Sequence, residues 1–308
     1  MAQSQIAGEK SSPTQPFTIL PPPLLPATVG RDHLSQLSAR ANAECKALWD
    51  ANELEDVTPF SPPRPNGAWG IMSIGAIGGV DWGGASIDLD HGTAITNVAN
   101  MPTMITVTRT EEGVKNNGGL RSASGNVRFA DNGGRSCNGG RQGELVAVNL
   151  SSGKIAWRVP LGSLEEEYGE GARNMGATSI GPTLVTHGGV VFAAASDDRL
   201  HAYDTRTGKL LWQIKMAASA NAGPMTYMGK DGRQYVVVAV GGPGNARRPS
   251  PRGNFLYHQT LVAFALPKAG DKALDIVTPY PPRALQPGES MAMDGSGGAM
   301  IVPAPSKP

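Results

Sequence analysis

Leu145-Val-Ala-Val-Asn149 runs into Gly153-Lys-Ile-Ala-Trp157, and Leu200-His-Ala-Tyr-Asp204 runs into Gly208-Lys-Leu-Leu-Trp212. Matched residues lie 55 positions apart throughout: 145 with 200, 149 with 204, 153 with 208, 157 with 212. A third, partial copy, Leu261-Val-Ala-Phe-Ala-Leu266, keeps the first strand and loses the rest. Each unit reads as an alternating strand ending on Asn or Asp, whose side chain can bond the backbone of the turn. Glycine takes the positive-φ corner, and a second strand ends in tryptophan. Such a hairpin cannot bury its own face, so copies must stack. A large indole at a fixed place in each copy is a natural wedge between neighbours. Repeated four-stranded sheets stacked radially make a β-propeller.

The surrounding chain has the same texture. Predicted strands are 85–88, 93–98, 103–108, 144–149, 155–158, 183–186, 190–195, 200–204, 210–215, 226–228, 234–240 and 261–266. Turn signals such as Asp90-His-Gly92, Ser152-Gly153, His187-Gly-Gly189, Thr207-Gly208 and Lys230-Asp-Gly232 separate them. Gly (40) and Pro (25) are in excess over ordinary usage in the 308 residues, which favours short strands and tight turns over long helices. The expectation is an all-β chain, a partial propeller over residues 67–267. Residues 1–66 are proline-rich at both ends, with one helical stretch at Arg31–Leu54 where Leu34, Leu37, Ala41 and Leu48 recur at helical spacing. This segment is expected to pack on the propeller. Residues 111–143 are glycine-rich and read as a long surface loop or insertion. Residues 268–308 are rich in Pro, Gly, Ala and Met and read as a disordered or loosely attached tail.

Several classes are excluded by composition. The 27 basic and 26 acidic residues leave a formal charge of +1, so the whole chain is neither a polybasic nucleic-acid binder nor an acidic tail protein. No apolar run approaches the ~20 residues of a membrane span. The start, Met1-Ala-Gln-Ser-Gln5, lacks the basic and apolar regions of a secretory signal. Two cysteines, Cys45 and Cys137, exclude a disulfide scaffold and a four-cysteine zinc site. One bridge between them is compatible with the sequence but not demanded by it.

The unit Asp-x-x-x-Gly-Lys-x-x-Trp resembles the tryptophan-docking repeat of the pyrroloquinoline quinone (PQQ) dehydrogenases, whose fold is an eight-bladed propeller. One branch is closer. Ser12-Pro-Thr-Gln-Pro-Phe17, Phe60-Ser-Pro-Pro63, Val80-Asp-Trp-Gly-Gly84, Ile180-Gly-Pro-Thr-Leu-Val-Thr-His-Gly-Gly189, Ala222-Gly-Pro-Met-Thr-Tyr227 and Asp231-Gly-Arg-Gln-Tyr-Val-Val-Val-Ala-Val-Gly-Gly242 appear in order. That order resembles the C-terminal portion of the membrane-bound glucose and quinate type, over about residues 8–267.

The resemblance implies oxidation of a sugar, polyol or cyclitol hydroxyl, with electrons passed to a membrane quinone at the periplasmic face. It implies PQQ and a calcium or magnesium ion as cofactors. It also implies that the catalytic base and the metal ligands lie in an earlier half of the enzyme, so none is expected here and a separate N-terminal half chain becomes a candidate partner. By the same resemblance Asp81, Trp82 and Gly83 meet the edge of PQQ, with Gly84 allowing close backbone approach. Where the family has Asn in place of Asp81, its amide can donate to a quinone or carboxylate oxygen, which an ionised Asp81 cannot. The structural alternative for this segment is a hairpin with a buried Trp82. Asn174, Met175 and Asn221 precede strands expected to enter the central channel and are candidates for lining it. Trp157 and Trp212 read as buried structural wedges. Lys154 and Lys209 in the same turns read as solvated.

Three other features are weighed against simpler readings. Asp88-Leu-Asp-His-Gly92 imitates the start of a calcium loop, but the distal Glu is absent and a hairpin turn is the better reading. The five histidines, His33, His91, His187, His201 and His258, show no metal-binding spacing. Arg247, Arg248 and Arg252 suggest a phosphate or lipid contact, but with no aromatic interleaved a solvated loop is preferred. The rival from another class is a non-catalytic propeller module that binds protein.

Overall fold

The computed structural model describes residues 2–6, 9, 11–26, 28–109, 120–122, 127–216, 218–241, 260–266, 289–293 and 299–303. Helix α1 spans Ala39–Ala51 and β1 spans Gly70–Met72. Strands β2 (Ser86–Asp88) and β3 (Thr93–Ala99) follow. Next come β4 (Thr103–Ile105), β5 (Val107–Arg109), β6 (Leu120–Ser122) and β7 (Val127–Arg128). Strands β8 (Gly143–Asn149) and β9 (Ile155–Pro160) lead to a one-turn helix α2 (Glu165–Tyr168). After it come β10 (Leu184–Thr186), β11 (Val190–Ala195), β12 (Arg199–Asp204) and β13 (Leu210–Lys215), then β14 (Met225–Met228), β15 (Gln234–Val240) and β16 (Thr260–Ala265). The first sheet has the order β2-β3-β8-β9, the second β10-β11-β12-β13 and the third β14-β15-β16, all antiparallel.

The two four-stranded sheets repeat in detail. Asn149 and Asp204 each accept at Oδ1 from the N–H and hydroxyl of the residue three on, Ser152 and Thr207, all at 2.9 Å. Gly153 and Gly208 then turn the chain at φ +66° and +69°, values that disfavour any side chain. Trp157 pairs with Ala147 and Trp212 with Ala202, and each ladder slips at the next residue. The sheets stack face to face. Ile95, Leu145 and Ala147 of the first meet Val191, Ala193 and Tyr203 of the second. Ala194 and Leu200 of the second meet Val236, Val238 and Val240 of the third. On the far face of the first sheet, Val98, Val146 and Val148 are covered by Leu24 and Leu25 of the proline-rich segment. Arg158 ties that segment down by donating to Leu24 O at 2.8 Å.

Neither tryptophan is fully buried, contrary to expectation: Trp157 is half-buried and Trp212 lies more open. The Trp157 indole donates to Thr205 O at 2.8 Å and lies on Gly208, where a Cβ would come within 2.6 Å of its Cε3. Trp212 is 38 % exposed and touches Phe264 edge-on at 5.5 Å.

The stretch between β3 and β8 also differs from a surface loop. Phe129 and Cys137 are fully buried, and β4 pairs with β1 and β7 in a small sheet. Helix α1, capped by Ser38 Oγ accepting from Ala41 N–H, turns Ala41, Cys45 and Trp49 inward. Trp49 meets Phe129 edge-on, and Cys45 is disulfide-bonded to Cys137. The helix is shorter than expected because the chain at Leu34 is extended, bridging Asn138. A pair of antiparallel strands, β17 (Glu289–Met293) and β18 (Ala299–Pro303), stands where no strand was expected. The rest of 268–308, Arg247, Arg248, Arg252 and His258 lie outside the described residues.

Helix α2 clamps the connection from β9 to β10 onto the second sheet. The Glu166 carboxylate lies between Arg199 and Lys215, 2.5 Å from Lys215 Nζ, and these cations hold it down at about 2. A depressed carboxylate stabilises the fold above its unfolded value of ~4.5 and stops doing so as pH falls through its folded value. The side chain is 52 % exposed, so solvent screening limits the effect to about 1 kcal/mol or less. Glu166→Gln is therefore expected to lower the melting temperature slightly at pH 7. The difference from wild type closes between pH ~4.5 and ~2. A difference independent of pH in a thermal-melt series would contradict this.

Candidate functional site

One edge of the stack is formed by β2, β10 and β14, each the edge strand of its sheet, with the turns that lead into them. Before β2, Gly79 pairs with Ala99 through two backbone bonds of 2.8 and 2.9 Å. Ser86 then pairs with Ile95. Residues 80–85 must therefore span what residues 96–98 span on β3, so they bow outward as a turn. Asp81 takes φ +53°, a left-handed conformation that Asn and Asp tolerate better than other side chains. Its Oδ1 accepts from the Trp82 N–H at 2.7 Å, and the Gly84 N–H closes the turn on Asp81 O at 3.3 Å. This local chemistry accounts for an acidic or amide residue at position 81 without a ligand. It also satisfies one carboxylate oxygen within the turn.

Trp82 is not the buried tryptophan of the simpler reading. It is 63 % exposed, a large apolar face carried at the tip of a hydrogen-bonded turn. Gly83 beside it rests on the segment leading into β10: a Cβ there would lie 2.7 Å from Pro182 N and 2.8 Å from Gly181 C. Gly181 in turn lies against the third sheet, where a Cβ would come 2.7 Å from Asn221 O. Gly223 closes against the Pro182 ring, 2.4 Å from a notional Cβ. The structure thus brings Asp81, Trp82, Gly83 and Asn221 onto one continuous rim. Ser86 donates to Thr183 O at 2.7 Å and staples the first strands of two sheets together.

Asn174 and Met175 make their contacts elsewhere. Met175 packs against the core between the first two sheets and accepts from Gln142 N–H at 2.6 Å; Asn174 is exposed. A cavity of about 30 Å³ lies nearby, lined among others by Phe129, Gln142, Tyr168 and Thr178. It has room for about one water and none for a cofactor. Burial there pushes the Tyr168 hydroxyl above its ordinary range. Asp88-Leu-Asp-His-Gly92 forms the turn between β2 and β3, with Asp88 accepting from the His91 N–H at 3.1 Å. Among the described residues no three His, Cys, Asp or Glu side chains are grouped to hold a metal. No helix among them is long and apolar enough to cross a membrane. The rim residues Gly181 and Pro182 were not singled out from sequence, although Ile180-Gly-Pro182 opens one of the family-like segments.

Repeated antiparallel sheets stacked radially, with their leading turns meeting at one rim, define a β-propeller. The chain belongs to the family described as "PQQ: Glucose/ethanol/alcohol dehydrogenase, beta-propeller domain", which matches residues 1–236. It is 29 % identical over 299 residues to a "Probable quinate dehydrogenase (quinone)" of Xanthomonas campestris pv. juglandis, covering 86 % of this chain and 35 % of the relative. It is 27 % identical over 288 residues to the "Quinoprotein glucose dehydrogenase" of Escherichia coli K12, covering 86 % and 34 %. The chain spans about a third of the length of these relatives. Among solved structures, the quinohemoprotein alcohol dehydrogenase of Comamonas testosteroni aligns with a TM-score of 0.36 at 25 % identity, over 53 % of this chain and 22 % of that one.

Proposed function

We propose that this chain forms part of a PQQ-dependent dehydrogenase that oxidises a hydroxyl of a sugar, polyol or cyclitol and passes electrons to a membrane quinone. The observation that carries the reading is the exposed Trp82 on a rigid turn at the inner rim. A planar tricyclic cofactor needs an apolar wall and close backbone approach, and Trp82 with Gly83 and Gly84 offers both. When bound, PQQ supplies the quinone that accepts the hydride from the substrate carbon.

This chain's part is to bind and orient. Trp82 presents its ring to the cofactor plane. Asp81 holds the Trp82 backbone through its Oδ1, and a carboxylate there would disfavour a cofactor carboxylate placed beside it. The Gly181–Pro182 shelf stops the turn from collapsing into the channel. Asn221 places a polar group on the same rim, toward the substrate side. The base that takes the hydroxyl proton and the calcium or magnesium ligands belong to the remainder of the enzyme, on this reading supplied by a separate N-terminal half. The Cys45–Cys137 bridge supports an oxidising compartment, consistent with the periplasmic face.

The test is PQQ titration with a dye-reduction assay. The 308-residue chain with PQQ and calcium is expected to reduce no dye with glucose, quinate or glycerol. Completed with the rest of the propeller, it is expected to turn over. Trp82→Ala then raises the PQQ Kd roughly 10–100-fold, from ~1.5–3 kcal/mol of aromatic burial. An unchanged Kd in that variant would remove Trp82 from the site, and turnover by the chain alone would place the whole active site within it.

A further inference from the structure

We infer that Thr96 and Asn97, adjacent residues of β3, are the positioning residues of the Asp81–Gly84 turn, Thr96 holding the turn itself and Asn97 holding the segment on which it rests. The link to cofactor binding rests on the function proposed above; the grip itself rests on geometry alone.

Successive side chains of a strand point to opposite faces. On β3, Ile95 enters the core shared with the second sheet and Val98 enters the cluster under the proline-rich segment. Asn97 therefore faces the second sheet and Thr96 faces away from it. Both are buried, Asn97 to 1 % exposure. Thr96 Oγ1 donates to Gly84 O at 2.6 Å and so holds the end of the turn. Asn97 Nδ2 donates to Ser179 O at 2.7 Å. Ser179 lies two residues before Gly181, whose backbone forms the shelf under Gly83. One residue thus fixes the turn and its neighbour fixes what the turn rests on.

Polar side chains at these positions need a reason. A buried hydroxyl or amide costs free energy unless it is bonded, and valine or leucine would fill a strand interior without that demand. Neither bond belongs to the ladder of β3, which pairs with β8 along its whole length and with β2 only up to Ile95, leaving the bowed turn opposite residues 96–98. Both go to backbone carbonyls outside the strands, at the two supports of the tryptophan turn. Without them, Trp82 is restrained by the Asp81 Oδ1 bond and the glycine contact, and its ring has more freedom.

The experiment uses 5-fluorotryptophan in the 308-residue chain, which has five tryptophans. The Trp82 line is assigned with Trp82→Phe. Thr96→Val keeps the shape and removes the hydroxyl. It is expected to shift the Trp82 fluorine line and raise its quenching by acrylamide, while the Trp157 and Trp212 lines stay in place. Thr96→Ser is expected to restore the wild-type line. Asn97→Leu is expected to move the same line; should it fail to fold, the Thr96 pair carries the test. In the completed enzyme, Thr96→Val is expected to weaken PQQ roughly five- to tenfold, the loss of one hydrogen bond's worth of order. A Trp82 line unmoved in Thr96→Val, or all five lines moving together, overturns the positioning role. A moved Trp82 line with unchanged PQQ affinity upholds the positioning role and overturns the cofactor reading instead.

Discussion

Replacing Cys45 and Cys137 together by serine is expected to lower stability by about 4–5 kcal/mol. The bridge joins residues 92 apart, so in the unfolded chain it closes a long loop and removes much of its entropy. Both cysteines are fully buried beside Trp49 and Phe129, so the serine hydroxyls would also lack water. The disulfide lies in the cluster of α1, β1, β4 and residues 129–137, away from the cores between the three sheets. Urea unfolding of wild type, with and without reductant, and of the double variant measures the total. Hydrogen exchange then locates it, with protection lost first in α1 and around Phe129 and retained in β8, β11 and β12. A loss below about 1 kcal/mol would mean that the helix and the insertion hold together without their covalent link.

Trp157→Ala is expected to cost about 3–5 kcal/mol and Trp212→Ala only about 1–2 kcal/mol, although the two occupy equivalent places in the repeat. Removing Trp157 strips a half-buried ring from its packing on Gly208 and the core between the first two sheets and leaves Thr205 O without its donor. Removing Trp212 uncovers one face of Phe264, next to a ring already partly in water. Gly208→Ala tests the same contact from the other side. Its methyl would meet the Trp157 ring at 2.6 Å in a backbone conformation that alanine disfavours. Equilibrium unfolding of the three variants checks the order. Equal losses for the two tryptophans would show that the third sheet receives Trp212 as the second receives Trp157.

Expectation and structure agree most closely where the physics is local. The strand from Val190 to Ala195 and the turn from Asp204 to Gly208 follow from alternation and turn chemistry within a few residues. Helical spacing extends the expected helix toward Arg31 because it carries no record of Leu34 pairing with Asn138, a hundred residues on. Sparse apolar residues make the stretch before β8 look like surface, yet Phe129 and Cys137 are buried by a helix that lies far away in sequence. At the rim, position 81 was singled out through a family resemblance. Its left-handed backbone supplies a reason for Asp or Asn there that is independent of any ligand.

The repeating hairpin, its strands to within a residue or two, its glycine corners and the family they resemble are legible in the residues alone. Period-two alternation and positive-φ turns are properties of short stretches, and two copies 55 residues apart reinforce each other. The tertiary structure alone decided which copy of the tryptophan is covered, that the two cysteines meet, and that Trp82 stands exposed. It alone set Gly83 on Gly181 and Pro182, a hundred residues distant. Each of these depends on which surface a neighbouring element brings to bear, and a chain's local chemistry does not specify its neighbours.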